Sequence, residues 1–115
     1  MNIDLWLSRF KKYWTEHNVP EVLKLFHDEV VYFETPFQRL ESKAEIQKAW
    51  EGIKSQNDIK IDCTVYSKDE NKFSVIWALS YIKEEKVHNV AGTYLITLDE
   101  KNLCTYFFHC CESKS

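Results

Sequence analysis

The stretch VVYFETPF, residues 30–37, sets one carboxylate, Glu34, beside one hydroxyl, Thr35, at the end of an alternation that stops at Pro36. A carboxylate so placed could accept a proton from a bound molecule, whereas a threonine hydroxyl has no basic form near neutrality and can only hydrogen-bond. As a strand, the stretch divides Val31, Phe33, Thr35 and Phe37 from Tyr32 and Glu34, on opposite faces. Thr35 keeps the more apolar company. The expectation is that Thr35 faces the interior and can bind a ligand, while Glu34 points away as a solvated or interface carboxylate.

His109, in LCTYFFHCC at 103–111, is the natural acid-base residue, because an imidazole titrates near neutral pH without special tuning. It shares strand parity with Phe107 and Cys111, and the plainer alternative is a buried histidine with a structural hydrogen bond. Tyr13 and Trp50 lie on the apolar sides of helical stretches, where they serve the core. Each also carries a polar tip suited to lining an apolar ligand cavity, and Trp77 and Tyr94 can contribute in the same way from strands. His17 ends a helix, where positive charge is favourable, and His27 and His88 flank turns.

Other chemistries lack their residues. Cys63 as a nucleophile would need an activating base that no local pattern supplies. The four cysteines form no C-x-x-C pair, and adjacent Cys110 and Cys111 would point to opposite faces of a strand, so free thiols are expected and no metal site. With only two glycines, Gly52 and Gly92, there is no phosphate loop or dinucleotide fingerprint, and no cofactor is expected.

The elements that must position these residues follow from periodicity. Residues 3–17 place Trp6, Phe10, Tyr13, Trp14 and His17 at helical spacing. Asn18 with Glu21, and Ser42 with Glu45, are helix-start signals, the first before a short helix burying Val22, Leu25 and Phe26, the second before a helix burying Ile46, Ala49, Trp50 and Ile53. Beyond them, 59–67, 72–82, 87–98 and 103–111 read as strands separated by the short charged runs KDEN, KEEK and DEKN, which predicts an antiparallel meander. Strand 72–82 has no strongly polar face. Ile76, Ala78 and Ile82 therefore predict that a second copy covers the outer sheet face in a homodimer.

At 115 residues the chain suits one domain spanning 1–115 with a real hydrophobic core. Its 15 Lys and Arg against 18 Asp and Glu give a net charge of -3, which argues against nucleic acid as a partner. No apolar run approaches the ~20 residues that span a bilayer, and the N-terminus has no export signal, so a soluble cytoplasmic protein without membrane contact is expected.

The order of these elements resembles the nuclear transport factor 2-like superfamily, in particular its SnoaL-like branch. The first helix, NVPEVLKLFHDEVVYFETPF, SKAEIQKAW and GTYLITLDEKNLCTYFF carry the resemblance over nearly the whole chain. It implies an α+β fold: a cone-like barrel of strongly curved, mainly antiparallel sheet wrapped around three N-terminal helices, with a pocket at its open end. The superfamily includes steroid isomerases, polyketide cyclases, dehydratases and transport factors, so the fold alone names no activity. In the steroid isomerases a general-base Asp lies just before the proline ending the first strand, which matches Thr35. Their oxyanion-donating Tyr falls at Phe10, one helical turn from Tyr13, and their protonated Asp falls near Thr93. Thr35, Phe10 and Thr93 cannot supply a base and two such donors, so the steroid-isomerase mechanism is not expected.

Three functions stay open. The first is binding of a small, largely apolar molecule in the cone, lined by Tyr13, Thr35, Trp50 and Thr93. The second is a cyclase, dehydratase or isomerase using His109 as acid or base. The third is a protein-interaction module whose cone is filled by its own aromatics.

Overall fold

A computed structural model describes residues 1–114. The helices are α1 (Ile3–Thr15), α2 (Val19–Leu23) and, after the first two strands, α3 (Lys43–Trp50), continued by a 3-10 turn at Glu51–Ser55. Each begins on a side-chain cap. Asn18 Oδ1 accepts from the Glu21 N–H and Ser42 Oγ from the Glu45 N–H, as the spacing predicts, and Asn2 Oδ1 caps α1 through the Leu5 N–H. Such caps contribute about 0.5–2 kcal/mol each by satisfying otherwise orphaned donors.

Six strands form one curled sheet that does not close: β1 (Phe26–Thr35), β2 (Gln38–Leu40), β3 (Asn57–Asp69), β4 (Lys72–Lys83), β5 (Lys86–Leu98) and β6 (Cys104–Lys114), in the order β2-β1-β6-β5-β4-β3. The meander from β3 to β6 is antiparallel throughout, as expected from its short charged turns. The turn Glu84–Glu85 is tight enough that both residues adopt positive φ, 52° and 64°, the conformation that two-residue hairpins require. The one parallel pair is β1 with β6, where Tyr32 sits beside Phe107 and Phe33 beside Phe108.

The β1–β2 hairpin corrects the reading of residues 30–37 as one strand. Thr35 Oγ1 accepts from the Phe37 N–H, and Pro36 offers no N–H to a ladder, so the chain turns there. Phe37, expected on the inner face, is fully exposed at the turn.

The core lies between the helices and the concave face. Phe10 is completely buried at its centre, with ring centroids 5.0 Å from Trp6, 5.5 Å from Trp14, 5.4 Å from Trp50 and 5.7 Å from Tyr94. From the strands come Tyr32, Phe73, Val75, Trp77, Tyr94, Ile96 and Phe107. On the convex face no helix covers the sheet. Ile76 and Leu95 remain 50% and 42% exposed there, and Phe33 packs against Tyr106 and Phe108. Both faces of β4 are apolar, but the helices bury only one.

Candidate active site at the open end of the cone

The sheet's curvature leaves a cavity of about 350 Å³ at one end of the core. Its floor is aromatic: Trp14 from α1, Tyr32 from β1, Trp50 from α3, Trp77 from β4, Tyr94 from β5 and Phe107 from β6 are all buried. Half-buried Glu34, His109, Tyr81, Lys83 and Val90 and exposed Cys111 complete the lining. Three larger concavities lie elsewhere: two carry several exposed charged side chains, such as Lys24, Asp28, Lys60 and Glu112, and a third, of about 540 Å³, lies beside Ser67, Leu95 and Tyr106. The cone cavity gathers six buried aromatic side chains around half-buried Glu34 and His109, the combination expected of a small-molecule site.

His109 is held by the backbone, not by a side chain. Its Nδ1 lies 2.8 Å from the Glu34 carbonyl oxygen. A carbonyl can only accept, so Nδ1 carries the hydrogen, and in the neutral ring the lone pair resides on Nε2. The ring packs against both members of the stacked Trp77–Tyr94 pair, at centroid distances of 5.4 and 5.5 Å. Burial pushes the His109 pKa below its usual 6.5, against the opposing pull of the Glu34 charge and of the hydrogen bond to the Glu34 carbonyl. A neutral imidazole with a free Nε2 in an aromatic wall is a competent proton acceptor.

Two consequences are measurable. Because the folded pKa is depressed, the unfolded chain takes up the His109 proton first as pH falls. The stability contributed by neutral His109 is complete above about 6.5 and is lost as pH drops through the folded-state value. Replacing Glu34 by Gln removes the charge and keeps the backbone carbonyl that orients the ring. Glu34→Gln should therefore lower the His109 pKa further, as followed by the ring-proton NMR signal across a pH series. An unchanged titration would mean that the Glu34 charge does not reach His109.

The other polar groups are donors. Trp50 Nε1–H donates to the Tyr32 hydroxyl oxygen at 3.0 Å, leaving the phenol's own hydrogen to donate elsewhere. Burial raises the Tyr32 pKa well above its usual value, with a further upward push from Glu34, and burial does the same for Tyr94, so both stay neutral phenols. Cys63 is pushed up to about 11 by burial, which keeps it a protonated and weak nucleophile. Burial raises Cys111 as well.

Of the residues singled out from sequence, His109 and Trp50 meet in this cavity, with Trp77 and Tyr94. Tyr13 is half-buried and packs against the edge of the core outside the cavity lining. Thr35 is exposed and its hydroxyl serves the β1–β2 turn. Thr93 lies on the convex face, paired across the strands with Ile76 and Cys110. The expectation that Glu34 points away from the cavity is overturned: Tyr32 and Glu34 occupy the concave face, and Val31, Phe33 and Thr35 the convex one. Alternation separated the two sets correctly but could not say which set meets the helices. The missed signal is the parallel β1–β6 pairing, which places Tyr32 level with Phe107 and so puts Glu34 on the side of His109.

The SnoaL-like domain model matches residues 7–105. This chain belongs to that family. Among solved structures, an NTF2-like protein of unknown function from Exiguobacterium sp. 255-15 superposes with a TM-score of 0.75 at 17% identity, over 93% of this chain and 98% of that one. The epoxide hydrolase/cyclase-like enzyme SalBIII, which takes part in pyran ring formation in the polyether salinomycin, gives 0.81 at 8% identity, over 95% and 89%. A Δ5-3-ketosteroid isomerase from Mycobacterium sp. gives 0.74 at 15% identity, over 96% of each chain. At such identities the likeness carries the fold and no more. No curated protein matches this chain by sequence. Among the described residues of this SnoaL-like domain, no helix is long and apolar enough to cross a membrane, and no group of three His, Cys, Asp or Glu side chains is arranged to hold a metal ion.

Proposed function

We propose that this SnoaL-like domain binds a small, largely apolar molecule at the open end of its cone. The observation that carries the reading is the cavity itself: a space of about 350 Å³ floored by buried aromatics and edged by Glu34 and His109. That volume is near the lower end of the ~300–1,000 Å³ typical of small-molecule sites, which favours compact ligands. Trp14, Trp50 and Trp77 lie on the wall, so occupancy should change indole emission. Titration with neutral bicyclic compounds should give a saturable fluorescence change. Its absence across a chemically varied set would reject the cavity as a binding site and favour the interaction module.

One observation favours a second reading, an acid-base enzyme of the cyclase, dehydratase or isomerase kind. His109 exposes a lone-pair nitrogen on a residue lining the cavity, and Glu34 stands beside it with its own carboxylate. In this reading His109 Nε2 removes a proton from the bound molecule, while the Tyr32 hydroxyl donates to an oxygen that gains charge. His109→Gln should then abolish turnover while leaving binding of the same compound within a fewfold. Retained turnover would exclude His109 as the base.

The homodimer belongs to this proposal too. Ile76, Leu95, Phe33 and Phe108 give the convex face an apolar surface of the kind a second copy would cover. Ile76→Lys should shift sedimentation from dimer to monomer, and a wild-type monomer at high micromolar concentration would reject the assembly.

A further inference from the structure

Trp77, a residue of the cavity wall, carries a polar atom that has no partner and is sealed from both solvent and the cavity. Trp77 is only 2% exposed, and its Nε1–H is the one buried side-chain nitrogen or oxygen among the described residues with no hydrogen bond. The packing around it is tight. Its ring stacks on Tyr94 at 5.0 Å and leans on His109 at 5.4 Å, and it sits opposite Cys63 and Gly92 on the neighbouring strands. A buried donor left unsatisfied costs about 1–3 kcal/mol, and native proteins rarely keep one unless something else fills the role.

The cavity's other groups sharpen what that partner must be. The Tyr32 hydroxyl already accepts from Trp50, so its free capacity includes a donated hydrogen. The buried floor thus offers hydrogens and wants acceptors. Charge points the same way: Glu34 stands on the wall, and Lys83, at the outer end of β4, is the sole lysine or arginine lining the cavity. An anion pressed inward would meet the Glu34 carboxylate in a poorly screened setting.

We infer a neutral ligand that buries an acceptor oxygen, of the carbonyl or ether kind, against Trp77 Nε1–H once the side chains sealing that atom yield to it, its apolar body filling the aromatic floor. This rests on the cavity-binding reading above and deepens it. Trp77 becomes a ligand-binding residue that discriminates by acceptor oxygen, not by shape alone.

The test uses three matched probes: acetylnaphthalene, isopropenylnaphthalene, in which a methylene replaces the carbonyl oxygen, and the naphthoate anion. Their dissociation constants are measured on the full chain and on Trp77→Phe, which deletes the N–H and keeps an aromatic ring. Trp77→Phe should weaken the ketone by roughly 2- to 10-fold, the value of one net hydrogen bond, and leave the hydrocarbon within about twofold. Naphthoate should bind the unmodified chain more weakly than the ketone does. In the unmodified chain, the Trp77 indole proton, assigned through its contacts with Tyr94 and His109, should move downfield with the ketone more than with the hydrocarbon. That signal needs no variant and stands if Trp77→Phe fails to fold. Equal weakening of ketone and hydrocarbon, an indole proton that does not distinguish them, or naphthoate binding tightest would overturn the inference while leaving cavity binding intact. Failure of all three probes to bind would overturn both.

Discussion

Phe10→Ala is expected to lower the unfolding free energy by about 3–5 kcal/mol, read from the shift in a urea unfolding curve. Phe10 is completely buried, and its ring meets Trp6, Trp14, Trp50, Tyr94 and Phe107, side chains drawn from two helices and two strands. Truncation removes the transfer energy of the ring and leaves a void that large aromatic neighbours fill poorly. Each aromatic pair contributes about 0.5–1.5 kcal/mol beyond simple burial, so several such terms are lost together. Leu5, on the same helix but 41% exposed, is the internal comparison, and Leu5→Ala should change stability by no more than about 0.5 kcal/mol. A loss below about 1.5 kcal/mol at Phe10 would mean that the aromatic cluster does not organise the fold. Trp14 and Trp50 belong to the cavity wall, so the same substitution should also weaken ligand binding.

Gly92→Ala is the second large effect. A methyl group there would meet the Cys110 carbonyl oxygen at 2.0 Å, the Cys111 Cα at 2.8 Å and the Cys110 carbonyl carbon at 2.9 Å. All three are backbone atoms, so no side-chain rotation relieves the clash. Strands β5 and β6 must separate or shift, at the point where Gly92 pairs with Cys111 and with Trp77. Gly92 has no positive φ, so the requirement is the close approach of two backbones, not a special dihedral. Overpacking in a well-packed setting costs about 1–3 kcal/mol, occasionally more, and a clash with rigid backbone belongs at the upper end. Displacing Cys110 and Cys111 also moves their neighbour His109, so the His109 and Trp77 NMR signals should shift with the loss in stability. Unfolding within about 0.5 kcal/mol of the unmodified protein, with both signals unmoved, would contradict the tight β5–β6 contact.

Much of this fold is legible in sequence because its signals are local. Asn18–Glu21 and Ser42–Glu45 announce helix starts, the three charged runs announce hairpin turns, and alternation in 72–82 and 103–111 groups Trp77 and His109 with their same-face neighbours without saying which face meets the helices. What stayed hidden depends on partners remote in sequence. Strand β1 carries apolar side chains on both faces, Val31 and Phe33 on one, Val30 and Tyr32 on the other, so alternation alone is symmetric. The symmetry is broken by α3, through the Trp50–Tyr32 hydrogen bond, and by the parallel neighbour β6. The same long-range pairing determines that Glu34, and not Thr35, joins His109. Sequence offers the Thr35 hydroxyl as a ligand contact or a core group, yet the proline that follows commits it to a turn.

The most direct measurement is the crystal structure of the protein soaked with acetylnaphthalene. The expected result is one bound molecule in the cone, its rings against Trp50, Tyr94 and Phe107 and its carbonyl oxygen within hydrogen-bonding distance, roughly 2.7–3.2 Å, of Trp77 Nε1, with Glu34 and His109 at its side. A cone packed solid by its own aromatic side chains, or a molecule lodged only on the convex face beside Ile76 and Leu95, would contradict it.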